Sequence, residues 1–127
     1  MEWRAEVTSS GDVVTVAFHG DLDLLVQSHL RQTLGDITET HRHVLLDLAD
    51  VRLIDSTGLG LLVRTHQAVK RRGGTVCLVA PSKFVQTVLF TMRLHPVFPI
   101  FPDTVAAEEW LAEVRSGTGA HRPVPVE

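Results

Sequence analysis

The sequence has 127 residues, a length that suits one folded domain built on one hydrophobic core. It carries 12 Lys and Arg residues against 15 Asp and Glu residues, and the resulting net charge of −3 argues against direct nucleic-acid binding through phosphate contacts. The single cysteine excludes a disulfide within the chain, and no apolar run is long enough for a membrane span or a signal peptide, so we expect a cytoplasmic protein.

The first elements in chain order are predicted to be a β-hairpin followed by a helix. Residues 3–8 and 13–18 have the alternation and β-branched content of strands, and the Ser-Ser-Gly-Asp segment at 9–12 has the composition of a turn. Asp23 is placed to cap the start of the helix. The apolar positions of that helix recur on one face: Val26, Leu30, Leu34 and Ile37.

The remainder of the chain alternates between strands and helices. The nearly all-apolar run at 44–48 predicts a central strand that is covered on both faces, and residues 75–80 predict another strand. The apolar period predicts a helix at about 59–69. Gly73-Gly74 follows it, and glycine commonly ends a helix. Pro81-Ser82 opens a third helix, whose apolar face is predicted to comprise Val85, Val88, Leu89 and Met92.

The last elements are a short edge strand and a final helix. The segment from Phe98 to Phe101 lies between prolines, which suits an edge strand. Asp103 is placed to cap the last helix, and its inward positions are predicted to be Ala107, Trp110, Leu111 and Val114. We predict one domain at 1–115 and a flexible tail at 116–127, where Ser, Gly, Thr and Pro become frequent.

The predicted order ββαβαβαβα indicates an α/β fold with a mixed sheet and helices packed against it. In such sheets, functional sites collect in the loops at the carboxyl ends of the strands. Two acidic turns are predicted there, Gly20–Asp23 and Ile54–Gly60. They are the candidate functional segments of the chain.

Ser56 lies in the second acidic turn, at the predicted start of a helix. A helix N-terminus offers free N–H groups and a partial positive charge, which can hold a phosphate. The same spacing also suits a plain helix cap by Asp55 or Ser56. Gly58 and Gly60 lower the helix propensity of this segment. Such glycines are expected where a side chain would block either a neighbouring strand or an incoming partner.

The run Val44–Leu48, the Ile54–Leu62 segment with its Asp-Ser-Thr-Gly-Leu-Gly stretch, and the Gly20–Asp23 turn resemble the STAS domain. More closely, they are similar to the bacterial anti-sigma factor antagonists, and the resemblance extends over roughly residues 3–115. It implies a STAS-type fold in which the helices pack mainly on one face of the sheet. It also implies a regulatory protein that is not an enzyme, and nothing in the sequence itself requires a cofactor or a metal.

The resemblance further implies a phosphorylation switch. The unphosphorylated protein would bind an anti-sigma factor that is also a serine kinase, and this binding would release a sigma factor. Phosphorylation of Ser56 would end the interaction, and a PP2C-type phosphatase would restore it. The implied partner-binding residues are Asp21, Asp23, Asp55, Ser56, Thr57, Gly58 and Leu59.

This chain departs from the family pattern at some positions, and the sequence also allows other interpretations. The family usually has Glu at the position of Asp21 and small or polar residues where this chain has the apolar run Leu24–Val26, which flanks the expected partner surface. Thr57 is the competing phosphoacceptor. A STAS subunit of a larger assembly, such as a transporter or a scaffold, is the main rival function. We expect the free protein to be a monomer, and no third ligand accompanies His41 and His43 to suggest a metal site.

Overall fold

The computed structural model describes residues 3–117 and contains the predicted order of strands and helices. The strands are β1 (Arg4–Ser10), β2 (Val13–His19), β3 (His43–Asp50), β4 (Thr75–Val79) and β5 (Ile100–Phe101). The α-helices are α1 (Gln27–Thr40), α2 (Ser56–Arg71), α3 (Lys83–Thr91) and α4 (Thr104–Arg115). A 3₁₀ turn at Leu24–Val26 precedes α1.

The sheet order follows the chain, β1-β2-β3-β4-β5. β1 and β2 form the predicted antiparallel hairpin, and β2 to β5 are parallel neighbours. The parallel arrangement sends β2 and β3 toward the same edge of the sheet, where β2 ends at His19 and β3 ends at Asp50. The segments that follow these two strands are the two acidic turns.

The helices lie mainly on one face, as predicted. Alternate residues of β3, among them Val44 and Leu46, belong to a core that includes Leu34 of α1, Leu62 of α2 and Leu89 of α3. The residues between them face a smaller core on the other side, which α4 covers: Leu45, Cys77, Val79, Phe101, Ala107 and Leu111. β3 is therefore covered on both faces, as its nearly continuous apolar run indicates.

The start of the first helix differs from the prediction. Asp23 caps the 3₁₀ turn, with its side chain accepting a hydrogen bond from the Leu25 N–H, and α1 begins only at Gln27 without a side-chain cap. The Leu24 N–H is directed to Asp55, a residue of the other acidic turn. A contact between residues so far apart in sequence is not visible to a local capping rule.

The assignment of Met92 to the buried face of α3 was wrong. α3 ends at Thr91, and Met92 is its C-cap residue with 56% of its surface exposed. Met92 lies one residue past the end of the helix, and Arg93 follows in a left-handed conformation with a φ of 57°, so the helical period no longer sets which way the Met92 side chain faces. The edge strand is also shorter than predicted, because only Ile100 and Phe101 pair with β4.

The C-terminal boundary remains a prediction. Ser116 is the C-cap of α4 and Gly117 follows it in a turn, so the first positions of the predicted tail still belong to the end of this helix. The rest of that segment, 118–127, lies outside the described residues. Between residues 3 and 117, no helix is sufficiently long and apolar to cross a membrane.

Candidate functional site at the carboxyl edge of the sheet

The two acidic turns are paired by backbone hydrogen bonds. Leu22 and Ile54 form an isolated parallel bridge beyond the ends of β2 and β3. The Leu22 N–H donates to the Leu53 carbonyl at 3.0 Å, and the Asp55 N–H donates to the Leu22 carbonyl at 3.2 Å. The expectation that both turns meet at this edge of the sheet is confirmed.

Asp55 joins the two turns with a single carboxylate. Its Oδ1 accepts a hydrogen bond from the Gly58 N–H at 2.9 Å and thereby caps α2. Its Oδ2 accepts from the Leu24 N–H, in the 3₁₀ turn, at 3.0 Å. The structure therefore decides between the two capping alternatives, because Asp55 performs the role that Ser56 could also have taken.

Ser56 is the first residue of α2 and its side chain is exposed. Within residues 3–117, its hydroxyl makes no hydrogen bond. Thr57, the competing phosphoacceptor, is half-buried. Neither hydroxyl makes a hydrogen bond within residues 3–117, but that of Ser56 is the more exposed of the two, in a position where a phosphate can receive backbone N–H donors.

Gly58 and Leu59 lie beneath the surface of the turn. A Cβ at Gly58 would stand 2.2 Å from the Leu22 carbonyl oxygen, so the close approach of α2 to the first turn requires glycine. Leu59 is only 6% exposed and belongs to the main core. Neither residue offers an exposed side chain to a partner. Either one could take part in partner binding only through its backbone.

Gly60 differs from Gly58, because a Cβ there would have no atom within 4 Å. No neighbouring strand accounts for this second glycine. It lies four residues after Ser56 and so on the same side of α2. The alternative that an incoming partner uses the bare helix surface stays a prediction for Gly60.

The carboxylates of Asp21, Asp23 and Asp55 give the paired turns a negative charge. Asp23 accepts the Leu25 N–H at 3.1 Å, and Asp21 is half-buried. In the described part of the chain, none of the three forms an ion pair with Lys, Arg or His. The turn therefore presents carboxylates whose charge has no cationic neighbour in direct contact.

Two sets of residues near the site were not predicted as functional. His19, at the end of β2, places Nε2 at 2.5 Å from Glu6 and Nδ1 at 2.6 Å from Asp50, and so joins β1, β2 and β3 beside the first turn. The second set is apolar: Leu24, Leu25 and Leu53 are 62%, 90% and 50% exposed. The apolar run containing the first two was visible in sequence, whereas nothing in the local pattern marked Leu53 or His19.

The His-x-His pair, His41 and His43, does not form part of a larger ligand cluster. His43 is 4% exposed, and its Nε2 lies 3.9 Å from Asp12. Burial lowers the pKa of His43, although the nearby Asp12 carboxylate opposes this shift. Across residues 3–117, no group of three or more His, Cys, Asp or Glu side chains is arranged to hold a metal ion.

Comparison with known proteins agrees with this fold. The STAS domain family model matches residues 4–107. The anti-sigma-B factor antagonist of Bacillus subtilis is 32% identical over 78 residues, which cover 61% of this chain and 72% of that relative. The resemblance to the STAS domain and to the anti-sigma factor antagonists is therefore confirmed.

Solved structures with the same fold include two forms of one regulator and one transporter-related protein. The anti-sigma factor antagonist SpoIIAA, unphosphorylated, has a TM-score of 0.71 at 20% identity, covering 91% of this chain and 97% of that chain. The phosphorylated form, described as a Bacillus cell fate determinant, has a TM-score of 0.67 at 17% identity, with coverages of 85% and 98%. A sulfate transporter family protein from Wolinella succinogenes has a TM-score of 0.70 at 21% identity, with coverages of 84% and 92%. These likenesses confirm the STAS-type fold, and together with the family match they show that this chain belongs to the STAS domain family.

Proposed function

We propose that this protein is an anti-sigma factor antagonist whose unphosphorylated form binds an anti-sigma factor with serine kinase activity and so releases a sigma factor. Phosphorylation of Ser56 ends the interaction, and a PP2C-type phosphatase restores it. The observation that carries the proposal is the division of roles between neighbours. Asp55 caps α2, and the exposed Ser56 hydroxyl has no hydrogen bond within residues 3–117.

Electrostatics supports release by a single phosphate. A phosphoserine adds roughly −1.5 to −2 charges at neutral pH. At Ser56 this charge would join the unpaired carboxylates of Asp21, Asp23 and Asp55. A charge left without a partner in an interface costs several kcal/mol, and about 1.4 kcal/mol corresponds to a tenfold change in affinity. A loss of affinity of roughly a hundredfold or more therefore requires no refolding of the domain.

The relatives support the same proposal. One is named an anti-sigma-B factor antagonist, and SpoIIAA, an anti-sigma factor antagonist, has been solved in unphosphorylated and phosphorylated forms that both share the fold of this chain. By analogy, we expect phosphorylation of Ser56 to leave the sheet and the packing of its helices unchanged. The protein would act by binding, without a catalytic role, a cofactor or a metal, and as a monomer in the cytoplasm when free.

The second candidate function is that of a STAS subunit in a larger assembly, without phosphorylation. The structural likeness to a sulfate transporter family protein favours it. In that case Ser56 would have no regulatory role, and substitutions there would not alter the binding of any kinase.

Capture experiments with Ser56 variants test the proposal. Ser56→Ala should retain an anti-sigma kinase from a lysate of the source organism, whereas Ser56→Asp should lose it. The recovered kinase, purified and given ATP, should add about 80 Da to the wild-type protein but not to Ser56→Ala. Thr57→Val is the matched control, because it removes the neighbouring hydroxyl and should still be phosphorylated. Absence of the mass gain, together with equal capture by Ser56→Ala and Ser56→Asp, would favour the assembly subunit instead.

A further inference from the structure

Three exposed leucines lie on the two paired turns at this edge of the sheet, and we call Leu24, Leu25 and Leu53 the leucine rim. Leu25 is 90% exposed and Leu24 is 62% exposed on the 3₁₀ turn, and Leu53 is 50% exposed two residues before Asp55. Single exposed leucines are ordinary on protein surfaces and need no explanation. Here three of them lie on two turns that are hydrogen-bonded to each other and to Asp55, the residue before the candidate phosphorylation site.

The other large exposed hydrophobic side chains in the described part of the chain are dispersed. They lie on β1, on or just after α3, and on α4: Val7, Phe84, Phe90, Met92 and Val105. Only the leucine rim belongs to segments that are bonded directly to Asp55. The leucine rim therefore differs from the other exposed hydrophobic residues in its position beside Asp55. Because its side chains are exposed, they contribute little to the core.

The backbone beneath the leucine rim is fixed by hydrogen bonds. The Leu24 N–H donates to Asp55 at 3.0 Å, and the Leu25 N–H donates to Asp23 at 3.1 Å. The Leu53 carbonyl accepts the Leu22 N–H at 3.0 Å. Apolar side chains on an already ordered backbone lose less conformational freedom when a partner covers them, which is how preorganised residues raise affinity.

We propose that the leucine rim is an apolar anchor that enters a cleft on the anti-sigma kinase, and that Lys or Arg side chains flank this cleft and meet Asp21, Asp23 and Asp55. This inference rests on the proposed function and adds the chemistry of the partner surface. Charge complementarity selects the partner, because the carboxylates beside the leucines form no ion pair within residues 3–117. Specific complexes usually have an apolar centre with polar and charged residues around it, and the leucine rim would form that apolar centre.

The arrangement also explains why one phosphate could end binding. Closing an apolar cleft over the leucine rim excludes water from the adjacent turn. A phosphate on Ser56 would then be desolvated next to carboxylates, where its charge is hardest to accommodate. The leucines supply affinity in the unphosphorylated state, and the same exclusion of water makes the phosphorylated state unfavourable.

The test is a Leu25→Ser variant with the purified anti-sigma kinase that Ser56→Ala recovers. We expect Leu25→Ser to raise the dissociation constant roughly tenfold to a hundredfold, since a leucine side chain would no longer be buried. Leu25→Met, which keeps an apolar side chain of similar volume, should stay within about threefold of wild type. Met92→Ser is the matched control, because Met92 is 56% exposed but follows α3 and belongs to neither acidic turn.

The possible results separate the anchor from the switch. Unchanged affinity of Leu25→Ser, with Ser56→Ala and Ser56→Asp still differing, would overturn the anchor and leave the phosphorylation switch intact. Equal binding of the two Ser56 variants, with a loss for Leu25→Ser, would overturn the switch and support the anchor. An equal loss in Leu25→Ser and Met92→Ser would also overturn the anchor, because the effect would then be general.

Discussion

The two glycines at the start of α2 are expected to respond in opposite directions to the same substitution. At Gly58, the new Cβ of alanine would stand 2.2 Å from the Leu22 carbonyl oxygen and 2.9 Å from its carbonyl carbon. These are backbone atoms, and the Asp55 N–H holds the same carbonyl at 3.2 Å. The pairing of the two turns must therefore loosen to admit the methyl group.

The magnitudes follow from packing and from helix propensity. Overpacking costs about 1–3 kcal/mol, and the helix gains about 1 kcal/mol when alanine replaces glycine. Because a fixed backbone carbonyl is the obstacle at Gly58, we take the upper end of that cost and expect a net loss of about 2 kcal/mol for Gly58→Ala. Gly60→Ala meets no atom within 4 Å. It should keep most of the helix gain, about 1 kcal/mol.

Thermal and urea unfolding of the two variants provide the measurement. Gly60→Ala should raise the melting temperature by roughly 4 °C, and Gly58→Ala should lower it by roughly twice that amount. The two variants share one helix and one chemical change, so each is the control for the other. If both shifted stability in the same direction, the close contact between α2 and Leu22 would not be the reason for Gly58.

Three further results are expected. Ser56→Ala should change the free energy of unfolding by no more than about 0.5 kcal/mol, because the hydroxyl caps nothing; a larger loss in urea titration would contradict the assignment of the cap to Asp55. Asp55→Ala should cost about 1–2 kcal/mol and more than Asp103→Ala, which caps α4 alone; equal losses would show that the bond to Leu24 adds no stability. The pKa of His43 is lowered from 6.5 by burial, so the unfolded chain takes up the proton first as pH falls. The contribution of neutral His43 is present above that value and is lost as pH falls below it, so His43→Gln should flatten the fall in stability below about pH 6.5, and an unchanged slope would count against this origin.

Local patterns in the sequence predicted most of the fold. The β-branched runs, the helical period and the caps at Ser82 and Asp103 all correspond to observed elements, because each depends on residues close together in the chain. The meeting of the acidic turns could also be predicted, since parallel strands end at one edge of the sheet. What could not be predicted is that Asp55 bonds to Leu24, because that contact requires the register between two strands.

The same limit applied to the candidate site. Asp55 and Ser56 were equally suitable caps by sequence, and only the observed bond to Gly58 separates them. The burial of Leu59 and the exposure of Leu53 likewise depend on how α2 approaches the first turn. Met92 was misplaced because the apolar period continued one residue past Thr91, where α3 ends.

The sheet order has a consequence for how this protein could change over time. Because each strand lies beside the one that precedes it in the chain, both acidic turns come from the consecutive strands β2 and β3 and are complete within residues 20–60. The later strands and α4 complete the domain on the other side of β3, and residues such as Leu89 and Phe98 share the main core with Leu22 and Ile54 of the turns. Substitutions in that second half can therefore alter stability without replacing a residue of the paired turns, whereas substitutions within 20–60 can alter both stability and the recognition surface.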